Sequence, residues 1–200
     1  LLYDLALVHN SRSEYKQAER DIEKSMHIFE RLARLNPDRY GPAHMMSVNA
    51  ATQIYRSRER QTAALANAHE ATAAYLTDAA AGVEGAAMLL IDSLAQEGRT
   101  LAKMSRQREA VQYFTRALKY LAKLQPDFGL QHLELSIDLG EALLEVKATR
   151  EKGVHLLNTM LHKATKLNAD DQHRRIVEIL YNAKHGSIDI LSFWHKLFPR

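Results

Sequence analysis

The chain has 200 residues, a hydrophobic content of 46% and a formal net charge of +3 with histidine neutral. These values fit one ordinary domain or one array of small repeats and exclude a wholly disordered chain. The balance of 27 basic against 24 acidic side chains gives no electrostatic case for nucleic acid, and the absence of cysteine excludes a disulfide framework, a thiolate zinc site and a cysteine nucleophile.

Helices are predicted along the whole chain, because 8 Gly and 4 Pro are few breakers for this length. Apolar residues recur every three or four positions from Tyr15 to Leu35, and Pro37 follows. The next segment has one such stripe over residues 48–55 and another over 64–76. Two further pairs of stripes cover 90–101 with 110–124, and 133–144 with 153–167.

A short phrase recurs at residues 34–38, 123–127 and 166–170, each time a basic residue, Leu, a polar or small pair and Asp. The leucines of these phrases lie 89 and 43 residues apart, so a further copy is expected near residue 79. The spacing predicts a unit of 43 to 46 residues, present four times, each unit being a pair of helices.

Small residues mark one position of the second helix in each unit. Ala18, Ala64, Ala110 and Gly153 are spaced 46, 46 and 43 residues apart. Antiparallel helices joined by a short turn approach closely where no large side chain intervenes, so we expect close packing there. Gly98 and Gly140 fit the same account, since glycine within a helix costs about 1 kcal/mol relative to alanine.

The third unit resembles a tetratricopeptide repeat (TPR). Its residues match the tryptophan-like, glycine, tyrosine-like, alanine, aromatic, alanine and proline positions of that pattern at Leu94, Gly98, Leu101, Ala110, Phe114, Ala117 and Pro126. The unit is longer than the standard ~34 residues and is similar to the variant of kinesin light chains and of bacterial and fungal regulatory proteins. The resemblance implies an all-α fold of antiparallel helix pairs stacked into a right-handed superhelix. We expect about four hairpins over 1–168 and C-terminal capping helices over 169–200.

The resemblance also implies a concave groove lined by the first helix of each pair, where the family binds a peptide or a partner protein. The exposed polar positions of those helices are therefore the candidate partner-binding residues. They are Asn49, Gln53 and Arg56 in the second unit, Asp92, Gln96, Arg99 and Lys103 in the third, and Glu134, Asp138, Glu141 and Glu145 in the fourth.

The four acidic residues of the last set share one helical face, where like charges repel. This repulsion predicts a compensating cation nearby. In one interpretation Arg99 and Lys103 of the adjacent first helix neutralise Glu141 and Glu145 across the groove. In the other, the acidic face receives a basic or amide-rich partner.

Phe193, Trp194 and Phe198 form the densest aromatic cluster of the chain. An open array of repeats needs a cap, and this segment is expected to supply it. The alternative is a motif that docks into the groove of another chain.

No catalytic motif is present in the sequence, and we expect no metal and no cofactor: it has no G-x-S-x-G elbow, no glycine-rich phosphate loop and no paired zinc-binding histidines. The sequence therefore favours a non-enzymatic scaffold that binds a peptide or partner protein in its groove. One alternative is a ligand- or peptide-sensing regulatory domain of a larger signalling protein. Another is a self-association module, with Leu1, Leu2 and Leu5 left uncovered at the end of the array.

The chain has no run of ~18 apolar residues as a membrane helix requires, so no membrane insertion is expected. Its first residues read as the interior of a helix, with no basic stretch before an apolar one as in a signal peptide. We expect a piece of a longer protein, located inside the cell in the cytoplasm.

Overall fold

The computed structural model describes residues 1–57 and 60–185. Over these residues the chain forms nine α-helices and one 3-10 turn, Lys147–Thr149. The helices are α1 Leu2–Ser11, α2 Tyr15–Leu35, α3 Pro37–Ser57, α4 Gln61–Ala80, α5 Ala86–Lys103, α6 Gln107–Leu124, α7 Leu130–Glu145, α8 Arg150–Lys166 and α9 Asp170–His185.

The helices form two compact units, Leu1–Pro126 and Asp127–Arg200. In the first unit each helix packs against the one before it, and the first helices α1, α3 and α5 also contact one another in succession. In the second unit α7 packs against α8, and α9 packs against both. Successive helices thus form the pairs α1/α2, α3/α4, α5/α6 and α7/α8, which confirms the predicted all-α helix-pair architecture.

The turns between pairs lie where the breakers of the sequence fall. Helix α2 ends at Leu35, and Pro37 is the first residue of α3, where its missing N–H would have no helical partner in any case. The Oδ1 atom of Asn36 accepts a hydrogen bond of 3.1 Å from the backbone N–H of Arg39 and so caps α3. Helix α4 ends at Ala80, close to residue 79, where a further copy of the recurring phrase is expected.

The predicted close approach is confirmed by the packing of the small residues. Ala18, Ala64 and Ala110 are fully buried, and Gly153 is buried as well. A Cβ atom on Gly98 would lie 2.7 Å from the Phe114 ring. One on Gly153 would lie 2.9 Å from both the Gly140 carbonyl oxygen and the Leu144 amide nitrogen, so α7 and α8 approach almost backbone to backbone.

Residue size is complementary across each pair. In each pair, the first helix has a buried residue twelve or thirteen positions before the small residue of the second helix. The second helix has another buried residue four positions after that small residue. These partners in register are Ala6 with Ile22, Thr52 with Ala68, Gly98 with Phe114, and Gly140 with Leu157. Glycine is matched with the bulky Phe or Leu, whereas Thr is matched with Ala. The summed volume of the two matched residues is therefore partly conserved from one helix pair to the next.

Candidate functional site

Polar side chains of α3 and α5 meet in the first unit. Arg56 of α3 donates a hydrogen bond to the Oε1 atom of Gln96 on α5. In return the Nζ atom of Lys103 donates to the carbonyl oxygen of Arg56 over 3.2 Å. The hydroxyl of Ser93 on α5 is 3.5 Å from the Oδ1 atom of Asn49 on α3, where it donates a third, longer bond.

The structure thus brings together candidates from two successive first helices. Gln53, Asp92 and Arg99 lie on the same two helices and are half-buried, as are Asn49 and Arg56. We call this set the α3–α5 surface: Asn49, Gln53, Arg56, Asp92, Gln96, Arg99 and Lys103.

Two candidates differ from the expectation that all of them are exposed. Gln96 and Asp138 are each only 6% exposed. Both side chains receive an arginine from a neighbouring helix, Gln96 from Arg56 and Asp138 from Arg175. The arginine covers the polar atom and satisfies it, which is the usual condition for a buried polar group.

The acidic residues of α7 are paired with α9 inside the second unit. The Nη2 atom of Arg175 lies 2.7 Å from Oδ1 of Asp138 and 2.9 Å from Oε2 of Glu141. The side-chain amide of Gln172 donates to Oε1 of Glu134 over 3.2 Å. Glu145, the last of the four, is exposed.

The expected compensating cation for Asp138 and Glu141 is thus present within the second unit, on α9. Partial burial acts to lower the pKa of the Arg175 guanidinium, but the charges and hydrogen bonds of Asp138 and Glu141 outweigh that cost and raise it. Gln172 and Arg175 were missed as functional candidates. The sequence signal that could have identified them is their three-residue spacing on a helix one repeat after the acidic face.

The predicted capping or docking residues Phe193, Trp194 and Phe198 lie outside the described residues. Within residues 1–57 and 60–185, no group of three or more His, Asp or Glu side chains is arranged to hold a metal ion. None of the helices in that part of the chain is long and apolar enough to cross a membrane.

The fold is matched by solved structures over the entire chain. A protein described as a kinesin light chain from Podosopora anserina, with nearly identical TPR-like repeats, superposes with a TM-score of 0.67 over 100% of this chain and 96% of its own, at 14% identity. The chain has a TPR-like repeat fold. A variant structure of that same protein gives a TM-score of 0.67 and 14% identity, with 98% and 94% coverage.

No protein-family model and no curated protein matches the chain by sequence. The TPR-like assignment therefore describes the fold alone.

Proposed function

We propose that the chain is a non-enzymatic interaction module and that its α3–α5 surface binds an extended acidic segment of a partner protein. The observation that carries the proposal is the joining of two successive first helices by Arg56, Gln96 and Lys103. The two helices thereby present their polar side chains as one surface.

The chemistry of that surface favours acceptors on the partner. Arg56, Arg99 and Lys103 supply three cations against the single carboxylate of Asp92. Guanidinium and ammonium groups are hydrogen-bond donors without acceptor capacity. Carboxylates and the backbone carbonyls of an extended peptide are the matching groups, and opposite charge also accelerates association.

The acidic face of α7 is less suited to this role. Glu134, Asp138 and Glu141 already accept hydrogen bonds from α9. A partner would have to compete with Arg175 for two of the three carboxylates, and breaking a charge-assisted contact to the buried Asp138 carries a large cost.

A peptide-array selection tests the proposal. We expect segments selected by the protein to be enriched in Asp and Glu. Arg99→Glu should weaken their binding by about tenfold or more, and Asn49→Ala by less. Arg108→Glu, which reverses the charge of an exposed arginine on α6, is the matched control. Equal affinity of the Arg99→Glu protein and the control, with unchanged helicity, would refute the α3–α5 surface as the site.

Self-association is a second candidate, supported by an apolar surface on α1, α2 and α3. Ile28, Met46 and Leu5 are 47%, 42% and 40% exposed. Ile28 and Met46 help line a cavity of about 480 Å³ together with Leu2. Sedimentation of the wild type and of Ile28→Glu separates the outcomes. A concentration-dependent dimer lost in the variant supports this candidate, and a monomer at high concentration removes it.

A further inference from the structure

Glu97 of α5 is a buried carboxylate at a position where the other first helices are apolar. It is 1% exposed, one residue before Gly98. The equivalent residues, one position before Ala6, Thr52 and Gly140 in the other pairs, are Leu5, Ala51 and Leu139. A carboxylate in this place costs free energy unless its oxygens are satisfied, so its presence calls for a partner.

The contacts of Glu97 satisfy one side of the carboxylate. Its Oε2 atom lies 3.3 Å from Nδ1 of His69 on α4. Burial and the nearby charge of Glu97 raise the pKa of the Tyr113 hydroxyl on α6. Among the described residues, nothing hydrogen-bonds to the Oε1 atom, although it too is buried.

A cavity of about 400 Å³ adjoins Glu97, between α4 and α6. This volume lies within the range of small-molecule pockets. Leu65 and Ala66 of α4, Leu101 of α5 and the Tyr113 ring give the cavity largely apolar walls.

The other charges along the cavity cancel one another. Arg106 makes two hydrogen bonds of 2.7 Å to the two carboxylate oxygens of Glu109. Because Arg106 and Glu109 neutralise each other, the Glu97 carboxylate gives the cavity a negative charge. A negatively charged cavity favours a cation.

We propose that this cavity binds a protonated primary amine carried on a short aliphatic chain. A guanidinium prefers both oxygens of a carboxylate, whereas Glu97 offers one, because His69 contacts the other. An ammonium group is a compact charge that suits a single oxygen. The apolar walls formed by Leu65 and Leu101 match the chain that bears it. The proposal does not depend on the α3–α5 surface.

Two sources share this chemistry, a free alkylamine and a lysine side chain of a partner polypeptide. NMR titration of the full chain with n-butylammonium is expected to give saturable shifts centred on α4, α5 and α6. Neutral n-butanol should bind at least about tenfold more weakly, since it lacks the charge-assisted bond. A peptide acetyl-Gly-Lys-Gly-amide, compared with its norleucine counterpart, shows whether a lysine on a polypeptide enters as well as the free amine.

Variants decide whether Glu97 is the anchor. Glu97→Gln keeps the shape and removes the charge, so it should weaken n-butylammonium binding by about tenfold or more. Glu70→Gln, an exposed change on α4, should leave the affinity unchanged.

If Glu97→Gln folds poorly, Ala66→Trp tests the cavity instead. It fills the rim of the cavity, while Ala73→Trp places the same ring two turns further along α4 at an exposed position outside the cavity. Loss of amine binding in Ala66→Trp but not in Ala73→Trp supports the site.

Two outcomes overturn the proposal: no saturable shift with either amine, or equal affinity for wild type and Glu97→Gln. Arg99→Glu, which tests the α3–α5 surface, should leave amine binding intact, so the two proposals fail separately.

Discussion

Helices α5 and α7 are the first helices of successive repeats but carry opposite charges at two matching positions. The basic Arg99 and Lys103 of α5 align with Glu141 and Glu145 of α7, whereas Asp92 and Gln96 align with Glu134 and Asp138. At the one buried position, Gln96 accepts from Arg56 of the preceding first helix, whereas Asp138 accepts from Arg175 of the following helix. A polar group buried at this position is thus satisfied by an arginine from either neighbour.

The two hairpins also differ in how closely their helices approach. The third has Ala110 where the fourth has Gly153, and Ala110 is accommodated fully buried. In the fourth, the atoms nearest to a Cβ on Gly153 belong to the backbone of α7. The α7/α8 pair therefore tolerates less change than α5/α6, and the following variants test this difference, from the largest expected effect to the smallest.

Gly153→Ala is expected to lower the free energy of unfolding by about 2–3 kcal/mol, near the upper end for overpacking, because backbone atoms cannot rotate away. Urea unfolding followed by far-ultraviolet circular dichroism measures the effect. Lys152→Ala, an exposed change on the preceding residue, is the control and should stay within about 0.5 kcal/mol. A Gly153→Ala protein as stable as the control would show that the helices separate at little cost.

Arg175→Ala is expected to cost about 2 kcal/mol, because the buried Asp138 loses a charge-assisted hydrogen bond. The neighbouring Arg174 pairs with Asp171, and both side chains of that pair are exposed. Arg174→Ala should therefore change stability by less than about 0.5 kcal/mol. Equal losses in the two variants, measured by the same unfolding experiment, would contradict the role assigned to Arg175.

Gly98→Ala should cost about 1–2 kcal/mol, because its methyl group meets the Phe114 ring. The cost should shrink when Phe114 is also changed to Ile, which recreates the Ala6 and Ile22 combination of the first hairpin. A double-mutant cycle is expected to give a coupling energy of about 1 kcal/mol. Additive effects would show that the complementary sizes are not energetically linked.

His132→Leu should give the smallest effect, visible as a change in pH dependence. Burial and the positive charge of Lys163 lower the pKa of His132 below its ordinary value of 6.5. The folded state therefore favours the neutral ring, and its stability falls as the pH drops through 6.5, where the unfolded chain takes up the proton. Leucine, the residue found at the equivalent Leu90, should remove that part of the acid destabilisation. If the stability of the wild type and of His132→Leu depends identically on pH between pH 7 and pH 5, His132 is not the source of this acid destabilisation.

The helices were predictable because their determinants are local. The three- and four-residue apolar spacing acts within one helix and Pro37 within one turn, so the helices follow from the sequence. The burial of Gln96 and Asp138 was not predictable in the same way. A hydrophobic pattern assigns polar residues to the solvent side, and only the arginine of a neighbouring helix brings these two inside.

The pairing of the acidic face shows the same limit. Charge spacing on α7 correctly indicated a need for a cation, but it did not tell which helix supplies it. Arg175 lies 34 residues from Glu141 in the chain, and α9 comes beside α7 only when both pack on α8. The role proposed for Glu97 could likewise not be predicted from the sequence, because it depends on a cavity built by three helices.

The backbone contact of Gly153 with Gly140 has a consequence for protein engineering. A consensus design averages aligned repeats, and here the average at this position is alanine, as in Ala18, Ala64 and Ala110. Such a design would insert a methyl group at a position where backbone atoms of α7 leave no room for it. The fourth hairpin is therefore best transplanted or shuffled as a matched pair, with α7 and α8 kept together.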